Sequence, residues 1–119
     1  MLRFVLAAAL FAAAPAFGQT SKDCSRMPTQ LDANFCAKDG WAISDGELNR
    51  LWSVVKPAAD ARGTGQALLD AQRAWLRYRD ATCEAEQNEY AGGSIAAMVY
   101  WSCMDRLTLQ RNAELRAMF

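Results

Sequence analysis

The sequence predicts a small all-α domain that is stapled by disulfides and built on an antiparallel helical hairpin, with about three to four helices. Apolar residues recur at helical intervals over most of the chain after Ser44. Cys83 lies nine residues before Gly92, and Cys103 lies ten residues after Gly93. The two cysteines are therefore nearly equidistant from a Gly-Gly break. No strand-like alternation and no internal repeat is present.

The first residues have the features of a secretory signal peptide. A basic start is followed by an apolar run over residues 4–14 and by small residues at Ala16 and Gly18, which suits cleavage after Gly18. The run is shorter than the roughly 20 residues that a membrane-spanning helix needs. We expect a signal peptide at residues 1–18 and one domain at residues 19–119, located in the periplasm or secreted.

The four cysteines are expected to form two disulfides, because the chain is small and carries an export signal. In an antiparallel hairpin that rises ~1.5 Å per residue, Cys83 and Cys103 reach the same height. This pairing leaves Cys24–Cys36 as the second bridge. A metal site is the competing interpretation, but the chain has no Cys-x-x-Cys and no histidine, so neither a metal nor a cofactor is expected.

The first half of the domain predicts short helices. Residues 29–38 are expected to form a helical turn or two, tied down by Cys36. Ser44 and Glu47 have the spacing of a capping box, so a short helix is expected to begin there and to end at Pro57. Its apolar face comprises Leu48, Leu51, Trp52 and Val55.

The sequence of the second half of the domain predicts the two helices of the hairpin. Residues 58–65 have little periodicity and are expected to be a connector. A long helix is expected from about residue 66 to residue 90, and another from about residue 94 to residue 118.

The first hairpin helix has polar residues on its inner face. At 100° per residue, one stripe contains Leu68, Gln72, Trp75, Leu76, Arg79, Cys83, Glu86 and Tyr90. Its three central polar residues, Gln72, Arg79 and Glu86, must be paired if they are buried. They therefore form either a buried structural network, with Glu47 and Asn49 as candidate partners, or the floor of a ligand groove.

The second hairpin helix has too many apolar residues for one face. Ala96, Val99, Tyr100, Cys103 and Leu107 form the bridge-facing stripe, while Ile95, Met98, Trp101, Met104 and Leu109 lie elsewhere around the helix. Either this helix packs on two sides as the middle element, or Met98 and Trp101 form an exposed patch for a partner.

Acidic residues cluster near the predicted hairpin tip. The tip comprises Glu84, Glu86, Glu89, Tyr90, Gly92, Gly93 and Ser94. It is either a solvated helix end or a protruding loop that binds a basic protein.

Charge and composition argue against two function classes. The chain has 13 basic and 13 acidic residues and no basic tract, so nucleic acid is not expected as a partner. Catalysis is not expected either, because histidine is absent and every cysteine is expected to be oxidised.

The order of several short motifs resembles the LprI-like family. They are Glu47-Leu48-Asn49, Ala71-Gln72-Arg73-Ala74-Trp75, Tyr78-Arg79-Asp80, Cys83, Gly92-Gly93-Ser94, Cys103, Leu107-Thr108 and Arg111. The resemblance covers Cys24 to about Leu115. It implies a small, exported, helical, disulfide-bonded domain, and the family's namesake is a mycobacterial lipoprotein that inhibits lysozyme. Here Cys24 follows Ser-Lys-Asp, which is no lipid-attachment site, so no membrane anchor is expected after cleavage.

The resemblance implies a binding function. The more concrete hypothesis is a lysozyme inhibitor that inserts the hairpin tip into the lysozyme cleft. The alternative is a structural or interaction domain of the bacterial envelope without lysozyme activity, which binds another protein or a small ligand through Met98 and Trp101. An exposed Trp101 would favour that alternative.

Overall fold

The computed structural model describes residues 23–119, and the expected signal peptide at residues 1–18 lies outside this part. The described chain folds into three α-helices: α1 (Gln30–Ala61), α2 (Gly65–Asn88) and α3 (Ala96–Arg116). It contains no β-strand. The predicted all-α class and the helical hairpin, formed by α2 and α3, are confirmed. None of the described helices is long and apolar enough to span a membrane.

Helix α1 begins earlier than expected. Thr29 is its N-cap: the Thr29 hydroxyl accepts from the Asp32 amide, and the Asp32 carboxylate accepts from the Thr29 amide. The capping box expected at Ser44 and Glu47 is therefore wrong. Ser44 lies inside the helix, where its hydroxyl donates to the Trp41 carbonyl.

Helix α1 also continues past Pro57, which we expected to end it. Proline removes one backbone donor and costs helix stability, but Pro57 is exposed, while Val55 and Ala59 on the other face are fully buried. Burial of that face outweighs the local preference of proline. The connector expected at residues 58–65 is reduced to residues 62–64, where Gly63 has a φ of 78°.

The core consists of two apolar clusters. One contains Leu48, Leu51 and Val55 of α1 with Leu115 of α3, and Trp52, Leu68 and Trp75 pack against it. The other contains Cys83, Cys103, Met104 and Leu107, and Trp41, Tyr100 and Trp101 pack against it. Helix α3 packs against both other helices, and α1 and α2 contact each other least. Because α3 is the middle helix, it has apolar residues on more than one face.

Both predicted disulfides are confirmed. Cys24 and Cys36 are joined with 5.7 Å between their Cα atoms, and Cys83 and Cys103 with 5.4 Å. The second bridge is fully buried between α2 and α3. It fixes the height of one hairpin helix against the other.

Replacing both Cys83 and Cys103 with serine is expected to lower the free energy of unfolding by about 3 kcal/mol, because the unfolded chain regains the freedom of the closed loop. Urea denaturation of the purified variant and the parent measures this change. Glu84→Gln is the exposed control and should shift stability by less than about 0.5 kcal/mol. Equal stability of the parent and the double variant would contradict a role of the bridge in the fold.

Candidate functional site

The tip of the hairpin is a chain of tight turns between α2 and α3. The Tyr90 amide donates to the Gln87 carbonyl at 2.9 Å, and the Gly93 amide donates to the Tyr90 carbonyl at 2.9 Å. Gly92 has a φ of 81°, a left-handed conformation that other residues rarely adopt. The turns of the tip are therefore joined by several backbone hydrogen bonds within the tip itself.

Two further contacts hold this tip against the rest of the domain. The buried Cys83–Cys103 bridge joins the two helices below it. From α1, the Asn34 side-chain amide donates to the Ser94 carbonyl at 3.1 Å. All three helices thus contribute to the position of the tip.

The side chains of the tip form an acidic, partly aromatic surface. Glu84 and Glu89 are exposed, and Tyr90 is 48% exposed. Glu86 is half-buried and accepts from Arg106 of α3 at 2.6 Å. Burial raises the pKa of the neighbouring Tyr100, and the negative charges of Asp80 and Glu84 raise that pKa further. The structure thus brings the seven residues of the predicted tip to one end of the hairpin.

The polar row of α2 divides into a buried part and an exposed part. Gln72 and Arg79 are each only 6% exposed, whereas Glu86 lies farther out at the tip. The guanidinium of Arg79 donates hydrogen bonds to the Asp80 carboxylate at 3.0 Å and to the Thr108 hydroxyl of α3 at 3.4 Å. It also lies 3.7 Å from the Asp45 carboxylate of α1. Arg79 therefore links all three helices.

Arg111 of α3 is a member of the buried network that the periodicity of α2 did not suggest. Its Nε donates to the Gln72 side-chain oxygen at 2.8 Å, and its Nη1 donates to Glu114 at 2.7 Å. The guanidiniums of Arg79 and Arg111 lie 5.1 Å and 6.0 Å from the Trp75 ring centre. The only sequence signal for Arg111 was its place in the motif order of the family resemblance.

The expected partners Glu47 and Asn49 do not join this network. Glu47 accepts from Arg50 at 2.6 Å and from Arg116 of α3 at 3.0 Å, and it makes no hydrogen bond or ion pair with Gln72 or Arg79. Asn49 is exposed, and it lines an open groove between α1 and α2 together with Gln72. The α1 residue that reaches the network is Asp45, and Glu47 lies about 200° around the helix from it.

The Met98 and Trp101 surface is partly covered. Trp101 packs on Trp41 with ring centres 4.9 Å apart, and the Lys38 ammonium lies 5.3 Å from its ring centre. Met98 accepts from the Gln30 side chain at 3.6 Å and lines a pocket beside Cys36. Both side chains are therefore partly buried against α1.

Comparison with known proteins gives two similarities. The family described as "Lysozyme inhibitor LprI" matches residues 21–115. An uncharacterized protein of Rhizobium meliloti (strain 1021) is 36% identical over an alignment of 110 residues that covers 82% of this chain and 79% of that protein. No solved structure matches significantly.

Arg79→Ala is expected to lower the free energy of unfolding by about 2 kcal/mol, because it leaves the buried Thr108 hydroxyl without its partner and removes packing on Trp75. Thermal and urea denaturation measure the loss. Arg77→Ala, an exposed neighbour on the same helix, is the matched control and should change stability by less than about 0.5 kcal/mol. An unchanged Arg79→Ala variant would show that the network does not support the fold.

Glu47 is expected to contribute a pH-dependent part of the stability. The hydrogen bond from Arg50, aided by Arg116, lowers the pKa of Glu47 from 4.5 to about 2. A carboxyl group with a lowered folded-state pKa stabilises the fold above its unfolded pKa, and this contribution is lost as the pH falls toward the folded pKa. The stability difference between the parent and Glu47→Gln should therefore narrow as the pH falls from 4.5 to about 2. A constant difference in a urea denaturation series over this range would contradict the assignment.

Proposed function

The chain belongs to the LprI family of lysozyme inhibitors, and we propose that it is an exported protein that binds and inhibits lysozyme without catalysing a reaction. In this proposal residues 1–18 are a signal peptide, and the domain at residues 19–119 acts in the periplasm or outside the cell. The family match over residues 21–115 supports the inhibitory class. The residues that bind lysozyme have to be inferred from the fold.

The rigid acidic tip of the hairpin is the observation that carries the proposal. Lysozyme cuts its substrate in a cleft that contains two carboxyl groups. An inhibitor that occupies this cleft needs a protruding element of limited flexibility, because an ordered loop loses less entropy on binding. The tip meets the second requirement, since its turns are joined by backbone hydrogen bonds and it is held by Asn34 and by the Cys83–Cys103 bridge.

The side chains of the tip also suit a basic partner. Animal-type lysozymes are basic, and Glu84 and Glu89 present exposed carboxylates to such a surface. Tyr90 adds a half-exposed aromatic ring, which is a frequent anchor in protein interfaces. By contrast, Trp101 is covered by Trp41 and Lys38, and this coverage disfavours the Met98 and Trp101 surface as the principal contact.

Titration of the oxidised protein into animal-type lysozyme tests the proposal. We expect stoichiometric loss of cell-wall turnover and a measurable heat of binding by calorimetry. Glu89→Lys should weaken binding about tenfold or more, because it places a positive charge against a basic surface. Tyr90→Ala should also weaken binding, through loss of its buried contact area.

Asp70→Lys is the matched control, since it makes the same change of charge at an exposed site of α2. Asp70 lies 19 residues before Glu89, which is about 28 Å along a helix axis. Equal weakening by both lysine variants would assign the effect to overall charge and contradict binding through the tip. No heat and no inhibition at tens of micromolar protein would refute the inhibitory function itself.

A further inference from the structure

An open groove with a cavity volume of about 290 Å³ lies between α1 and α2. Its apolar walls are formed by Leu48, Trp52, Leu69 and Leu76. It remains open because both helices pack mainly against α3 and contact each other least. Trp52 packs against the core and is still partly exposed, so the groove has an accessible indole in its wall.

Three polar side chains of this groove have hydrogen-bonding groups that the described part of the chain leaves unused. Within residues 23–119, the exposed side chains of Asn49 and Arg73 make no hydrogen bond or ion pair with the protein. Gln72 is nearly buried, and its side-chain oxygen accepts from Arg111. Its side-chain NH2 group has no partner in the same part of the chain. The groove is therefore rich in unpaired donors.

The one basic residue in the lining of the groove, Arg73, favours an anion. Asp45 is the one acidic residue in the lining, and it lies 3.7 Å from Arg79, which also donates to Asp80 at 3.0 Å. No described acidic residue pairs with Arg73. Behind Gln72, the buried Nη2 of Arg111 also lacks a hydrogen-bond partner among the described residues. Arg73 and the side-chain NH2 groups of Asn49 and Gln72 are thus the donors that the groove offers to a ligand.

We propose that this groove is a binding site for a small organic acid, in which a carboxylate is joined to a flat body the size of one ring. The carboxylate accepts from Arg73 and from the amides of Asn49 and Gln72, and the flat body packs on Trp52 between the leucines. The volume is at the low end for small-molecule sites, which suits a body of one ring. The site is distinct from the hairpin tip and does not depend on lysozyme binding.

Nuclear magnetic resonance titration of the 15N-labelled, oxidised protein tests this site. The probes are N-acetylphenylalanine, in which the carboxylate is joined to a phenyl ring through two carbon atoms, and glucuronate, in which it is attached directly to a sugar ring. At least one should shift the Trp52 indole and the Asn49 and Gln72 side-chain amide signals saturably, with a dissociation constant on the order of 1 mM. The tighter probe identifies the kind of body that the groove accepts. The Trp41 and Trp101 indoles are internal controls and should not shift.

Matched controls isolate the role of the charge. N-acetylphenylalaninamide and glucose lack the carboxylate and should bind at least about tenfold more weakly than their acids. Arg73→Gln should weaken binding to a similar extent, whereas Arg77→Gln, an exposed arginine one turn farther along α2, should leave it unchanged. The proposal fails if neither acid shifts the groove signals, if the neutral analogues bind equally well, or if both arginine variants behave alike.

Discussion

The buried bridge between Cys83 and Cys103 determines the register on which the rest of the hairpin depends. It fixes the height of α2 against α3 at one point, and two buried cross-helix pairs lie at similar distances from the turn. Arg79 meets Thr108 about one helical turn below the bridge, and Gln72 meets Arg111 farther along the same two helices. The exposed pair of Glu86 and Arg106 runs diagonally across the bridge, because Glu86 lies three residues from Cys83 toward the tip and Arg106 lies three residues from Cys103 away from it.

A polar layer lies between the two apolar clusters and attaches α1 to this hairpin. The Asn112 side-chain amide donates to the Ser44 carbonyl at 2.9 Å, and Arg79 and Arg116 reach Asp45 and Glu47. These contacts fall within a single turn of α1. Burial of polar groups costs free energy unless their partners are in place. The layer therefore favours one position of α1 along α3, which the apolar clusters alone would specify less sharply.

The sequence predicted the hairpin and its bridges well because their signals are spacings that helical geometry converts directly into positions. It failed for α1, where Ser44 and Pro57 gave local signals that the burial of Leu51, Val55 and Ala59 overrides. Thr29 and Asp32 have the capping spacing that marks the true start of that helix. The inner face of α2 was predicted correctly at Gln72 and Arg79, but their partners on α3 depend on packing between helices. Periodicity within one helix contains no such information.

The two disulfides join cysteines that are consecutive in the sequence, Cys24 with Cys36 and Cys83 with Cys103. Neither closed loop contains a cysteine of the other pair. A chain that emerges with its N-terminus first can therefore complete the first bridge before Cys83 is available. The second pair then has no competing thiol. Oxidation of neighbouring cysteines in the order of the sequence yields the native pairing. This fold therefore forms without the rearrangement of non-native disulfides that interleaved bridges require.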